Sequence, residues 1–156
     1  MEPDSLSIDV AIQSALWSEA ANIKSEAWIA SQLAPLLGRQ DIRLGELSIA
    51  LVDDAKMTTL NKYYREKDGP TNVLSFPADA PLLGDIVLSY DTIKREASAK
   101  GVSFANHMSH LLIHGFLHLQ GYDHQTHEEA AVMEALEITA LEKLHIDNPY
   151  ENTRLD

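Results

Sequence analysis

The run His114-Gly-Phe-Leu-His118-Leu-Gln-Gly121-Tyr-Asp-His124 constrains this chain more than any other stretch of it. A helix over residues 103–120 sets side chains four apart about 40° from one another around its axis, so His114 and His118 project the same way from successive turns. Gly121 stands where a helix C-terminus takes a residue free to adopt positive φ, and the reversal it permits brings His124 back toward the pair. Three neutral imidazoles suit zinc, one ion per chain. Three protein ligands rather than four leave a position open for water or substrate, which is the pattern of a catalytic site rather than a structural one. Asp123 is the candidate carboxylate for orienting one of these rings through its second nitrogen.

Two histidines at helical spacing arise readily by chance; the helix-ending glycine and a third histidine within reach of a short turn carry the assignment. The other four histidines read differently. His107 and His110 continue the stripe one to two turns upstream, where ordinary helix packing is the leading reading and a pocket role the second. His127 and His145 lie in a Glu-rich stretch and are expected in solvent. The order His, His four later, Gly seven later and His ten later is also that of the metzincin peptidases, which place a Glu directly after the first His as general base. Here that position is Gly115, which cannot take a proton, so the metal scaffold is present without the peptidase's catalytic partner.

Residues 114–124 match every fixed position of His-Gly-x-Leu-His-Leu-x-Gly-Tyr-Asp-His, and further motifs lie upstream in Leu60-Asn61-Lys-Tyr-Tyr-Arg65, Asp68-x-Pro-Thr71-Asn72-Val73-Leu74-Ser75-Phe76-Pro77 and Leu83-Gly84-Asp85-Ile86. On these residues, over roughly positions 45 to 145, the chain resembles the YbeY endoribonuclease family of rRNA maturation factors. The short connection from Ala78 to Leu82 departs from relatives with a longer loop there. The resemblance implies a four-stranded sheet with the metal helix packed near it, and an Arg at the position of Arg65 that is associated with activity. It further implies single-stranded rRNA as substrate, maturation of the 3′ end of 16S rRNA, and ribosome quality control. The implied partners are the small ribosomal subunit with its proteins or an assembly GTPase. DNA and membrane are not expected partners.

The physical reading of those motifs is less specific. Arg65 ends a helix just before a turn, where a guanidinium with five donors can hold a phosphate bidentately, or can simply complement the helix dipole. Asn72 and Ser75 in a strand, Asp85 at a strand start and Tyr122 after the metal helix are the candidate substrate contacts. Thr71 and Asn72 equally satisfy turn backbone, Asp85 equally caps or pairs, and Phe76 and Tyr122 can stack on a base, although core packing is the better account of Phe76. His114 and Arg65 are the expected catalytic residues.

A formal charge of −12 opposes nonspecific affinity for nucleic acid. Seven of the twelve basic residues nevertheless fall between Lys56 and Lys100, whereas residues 101–156 hold two basic and nine acidic side chains, so a basic patch facing the metal and scattered solvent charges are equally open readings. Such an enzyme would bind bulk RNA poorly and depend on delivery by a partner. The absence of cysteine, of an apolar run long enough to span a membrane and of a basic-apolar leader leads to the expectation of a cytoplasmic protein.

At 156 residues and 45% hydrophobic, one domain over residues 1–156 is expected, with about 146–156 as a tail. Alternation of Leu6, Ile8, Val10 and Ile12, and again of Leu47, Ile49 and Leu51, predicts strands, as do residues 71–76 and 85–89, with Pro77 and Pro81 holding a loop between them. Helices are predicted from the stripe Trp28, Ile29, Leu33, Leu36, Leu37 ending at Gly38, and from Met57, Leu60 and Tyr64 behind an Asp53 or Asp54 cap. Further helices are predicted over 91–100, 103–120 and about 128–144. The order βαβαββααα indicates an α+β fold with helices on a small mixed sheet, and a metal-binding helix followed by a turn that carries the third ligand. The expected activity is a zinc-dependent endoribonuclease on single-stranded RNA. The alternatives are a metal-dependent hydrolase of another substrate, including a peptidase, and a ribosome-associated binding factor with a structural zinc.

Overall fold

The structure, a computed structural model, describes residues 5–151. Four strands, β1 (Ser7–Ile12), β2 (Glu46–Val52), β3 (Val73–Pro77) and β4 (Leu82–Ser89), form one mixed sheet in the order β1-β2-β4-β3. The pairs β1/β2 and β2/β4 are parallel, whereas β3 runs antiparallel to β4 at the sheet edge. Five α-helices accompany it: α1 (Glu26–Leu33), α2 (Asp54–Arg65), α3 (Tyr90–Lys100), α4 (Phe104–Leu119) and α5 (His127–Lys143). The α+β class and the element order agree with the sequence reading.

Alternation along the strands sorts side chains onto two faces. Leu47, Ile49, Leu51, Ile86 and Leu88 share one fully buried cluster with Phe116, Leu112 and Ile113 of α4 and Ile29 and Leu33 of α1. Val52, Leu74 and Val87 meet Met57 of α2 on the opposite face. Helix α4 carries the metal motif, and it lies close to the sheet because Gly115 has no side chain. A Cβ there would stand 3.0 Å from Ser75 Oγ and 3.2 and 3.3 Å from the two terminal carbons of Ile86. The residue that the peptidase comparison marks as a missing base is therefore the point where helix and sheet touch.

Local signals account for most element ends. Asp53, not Asp54, caps α2 by accepting from the Lys56 amide; Ser103 caps α4, and Thr126 with Glu129 forms a capping box on α5. Four details depart from expectation. Residues 15–24 form two 3₁₀ segments that meet at a kink at Ala21 (φ +53°), burying Trp17, whose indole N–H donates to the Val52 carbonyl at 2.9 Å. The stripe predicted to run from Trp28 to Leu37 leaves the α form at Leu33 and tightens to 3₁₀ over Ala34–Leu36, since Pro35 has no N–H to continue the ladder. Strand β4 begins at Leu82 rather than at the predicted Asp85, so Leu82, Leu83 and Gly84 are also in the sheet. Residues 146–150, expected in the tail, are held down by packing of Ile146 on the core and by a hydrogen bond from the Tyr150 hydroxyl; residues 152–156 of that tail lie outside the described residues.

Candidate metal centre

His114 and His118 leave α4 on the same side, and Gly121 (φ +101°) turns the chain so that His124 joins them. One nitrogen from each ring falls within 4.8 Å of the others, and the Nε2 atoms of His114 and His118 are 3.1 Å apart. That short distance is informative because of what holds the other side of each ring. His114 Nδ1 is 2.8 Å from Glu137 Oε2, and His118 Nδ1 is 3.0 Å from the Tyr122 carbonyl. A carboxylate and a carbonyl only accept, so both Nδ1 atoms must donate, and both Nε2 atoms then present lone pairs to one another. Either a proton on one of the two or a cation between them relieves that arrangement, and the third nitrogen, from His124, makes the cluster one that could hold a metal ion. Tetrahedral zinc with Zn–N of about 2.0–2.1 Å would hold two ligand nitrogens roughly 3.3 Å apart, close to the separation seen. The donor set therefore fits a divalent metal.

Glu137 is the residue the sequence reading missed. It sits on α5, fully buried, and accepts from three groups: His114 Nδ1, His110 Nε2 at 2.6 Å and the Tyr150 hydroxyl. Burial opposes its ionisation, yet the hydrogen bonds and charges of His110 and His114 outweigh that and hold its carboxyl at about 2. Asp123, expected in this orienting role, instead accepts from the backbone amide of His124 and shapes the turn. His110 is likewise no mere packing residue, and His107 pairs with Glu96 at 2.8 Å. His127 and His145 are exposed as expected. Burial first, then the charges of His114 and His124, push the His118 imidazole below its usual range, which favours the neutral form that ligates metal.

The three histidines open onto a cleft of about 740 Å³ between α4, the following turn and the free edge of β3. Arg65, from the last position of α2, reaches into it and donates from Nη2 to the Ser75 carbonyl at 2.8 Å, with its guanidinium 5.3 Å from the Phe76 ring centre. Lys67 lines the same cleft, whereas Lys62 pairs with Asp68 and Arg95 with Asp54, so the mid-chain cations reach the cleft only in part. Asn72, Ser75 and Tyr122 also line the cleft, but each has a structural partner as well. The Asn72 amide donates to Glu96 at 2.9 Å, the Ser75 hydroxyl lies against Gly115, and the Tyr122 hydroxyl is hydrogen-bonded to Asp41. Asp85 is not brought there. Gly84 and Ile86 face α4, so alternation turns Asp85 to the other side of the sheet, exposed and in register with Phe76.

The fold and site define an α+β domain with three histidines on a helix and the following turn that could hold a metal ion, beside a cleft that Arg65 and Lys67 also line. The sequence matches the family described as Endoribonuclease YbeY over residues 12–145, and the chain belongs to that family. It is 48% identical to an Endoribonuclease YbeY from Paramagnetospirillum magneticum, over 93% of this chain and 96% of that one. It is 42% identical to an Endoribonuclease YbeY from Rhodopseudomonas palustris, over 91% and 80%. The solution structure of TM1509 from Thermotoga maritima superposes with a TM-score of 0.57 at 20% identity, covering 96% of this chain and 97% of that one, and supports the fold. No helix among the described residues is long and apolar enough to cross a membrane.

Proposed function

We propose that this protein is a zinc-dependent endoribonuclease that cuts single-stranded RNA, acting in the cytoplasm on rRNA, including the 3′ end of 16S rRNA, and in ribosome quality control in association with the small subunit. The observation that carries the metal chemistry is the convergence of one nitrogen each from His114, His118 and His124 within 4.8 Å, on a cleft that Arg65 also lines. His114, His118 and His124 are the ligands. A divalent ion held there supplies Lewis-acid polarisation of an oxygen at the reacting phosphate or of water. Arg65, anchored by one N–H to the edge strand, has a guanidinium fork with which to bind a phosphate and offset the charge that develops on its oxygens. Glu137 keeps His114 in the tautomer that turns Nε2 to the cleft. Asn72, Ser75 and Tyr122 form the walls beside the scissile bond.

The peptidase alternative loses ground for a geometric reason. Position 115 points at Ser75 and Ile86 rather than into open cleft, so a glutamate there would meet the sheet. The test is cleavage of an unstructured oligoribonucleotide by zinc-loaded protein, by protein stripped with a chelator, and by the His118→Ala variant. Cleavage by the first alone is expected. Equal activity in all three, or zinc-dependent proteolysis of an unfolded protein with the RNA left intact, refutes the proposal.

A further inference from the structure

The metal cleft does not use all of the unusual surface beside it. Tyr63 and Tyr64, in the last turn of α2, are 77% and 56% exposed, although Tyr64 continues the apolar stripe of Met57 and Leu60. The stripe ends there because α2 has passed beyond the buried part of the sheet: Met57 is fully buried and Leu60 only partly. The two rings form one chain with Phe76. Tyr63 and Tyr64 lie edge to face with centres 4.7 Å apart, and Tyr64 lies 5.1 Å from Phe76. At the far end of that chain the Arg65 guanidinium stands over Phe76 and lines the metal cleft. Three rings thus lead from the guanidinium out onto the surface, beside the cleft that Lys67 also lines.

We infer that Tyr63 and Tyr64, backed by Phe76, which packs on the second core cluster, are a stacking platform for the bases of a single-stranded RNA next to the bond being cut, and so a determinant of single-strand preference. The inference rests on the endoribonuclease reading. Its physical basis is the balance of forces on this chain. A net charge of −12 leaves little general attraction for phosphates, and among the described residues only Arg65 and Lys67 of the lysines and arginines line the cleft. Affinity must then come from something other than charge. Base-on-ring stacking is worth about 1–3 kcal/mol per base and is indifferent to sequence. Bases held in a duplex cannot turn out onto the rings, so the platform would favour unpaired strands. Continuity with Arg65, which lines the cleft together with Lys67, points to RNA rather than to a protein partner.

Tyr63→Ala and Tyr64→Ala, with Tyr→Phe at both positions as controls, are compared on two substrates. One is an unstructured oligoribonucleotide; the other is the same strand with abasic residues flanking the cleaved bond. On the first, each alanine variant should raise KM about tenfold with a much smaller change in kcat, and the phenylalanine variants should restore the parent value. On the abasic strand parent and variants should have the same, weaker KM, with the salt dependence of binding unchanged because phosphate contacts are untouched. An unchanged KM on the base-bearing strand overturns the inference. So does loss of association with purified small ribosomal subunits at unchanged KM, which would assign the tyrosines to a protein contact. If the zinc-loaded parent cuts no RNA, the endoribonuclease reading itself fails, and fluorescence anisotropy with the same two strands still decides whether the rings bind bases.

Discussion

Replacing Glu137 by Gln tests the metal centre through a residue that is not one of its ligands. The side chain keeps its volume, but one of its two acceptor oxygens becomes an NH₂ donor. Oε1 serves both His110 and the Tyr150 hydroxyl, whereas Oε2 serves His114 alone. Keeping the amide oxygen on the doubly used side is therefore favoured, and the NH₂ then faces His114 Nδ1. Two donors cannot share that contact, so His114 must move its proton to Nε2, the atom that faces His118 at 3.1 Å. Metal binding must expel that proton and leave Nδ1–H against an amide. Loss of such a supporting partner typically lowers metal affinity 10- to 100-fold, or about 1.4–2.7 kcal/mol. Competition with a chromogenic zinc chelator measures the affinity, and long-range ¹H–¹⁵N spectra of the metal-free protein report the His114 tautomer directly. A zinc affinity within twofold of the parent's, together with an unchanged His114 tautomer, would refute the reasoning.

Other expectations follow from the same geometry. Arg65→Glu should abolish RNA cleavage with zinc content unchanged and stability lowered by only about 1 kcal/mol, the cost of its hydrogen bond to the Ser75 carbonyl; a loss of several kcal/mol would make Arg65 structural. Gly115→Leu should overpack the contact between α4 and the sheet by about 1–3 kcal/mol, lowering the melting temperature by roughly 3–10 °C, and a neutral result would show that the helix can lift away. Asp54 accepts from Ser89 at 2.7 Å and Thr92 at 2.6 Å and pairs with Arg95 at 2.9 Å; burial opposes ionisation, but these partners hold its carboxyl below the ordinary 3.8. Because the folded value is the lower one, this stabilisation is complete above 3.8 and is lost as pH falls through the depressed value. Urea titrations should therefore show Asp54→Asn to be less stable than the parent at neutral pH, with the gap closing in that acid window. A gap that persists there would mean the charge is not what stabilises.

Much of the candidate centre was legible in the sequence because it depends on contacts close in the chain. The i, i+4 spacing of His114 and His118 acts through helix periodicity alone, and Gly121 turns the chain within a few residues, so the ligand set could be read without knowing any neighbour. The alternation of β2, the Ser103 cap and the Thr126–Glu129 box are local for the same reason. What tertiary structure decided lies at long separation. Glu137 is 23 residues from His114, and no spacing rule links a glutamate on one helix to a histidine on another; the nearer Asp123 was the natural candidate until packing of α5 on α4 gave its role to Glu137. Asp85 sat inside a motif, yet the pleat turns it away from the cleft because its neighbours Gly84 and Ile86 face α4. Leu82 to Gly84 joined β4 only because β2 and β3 were there to pair with them. Periodicity places a side chain on its own element, whereas the partner it meets depends on which elements the buried faces bring together.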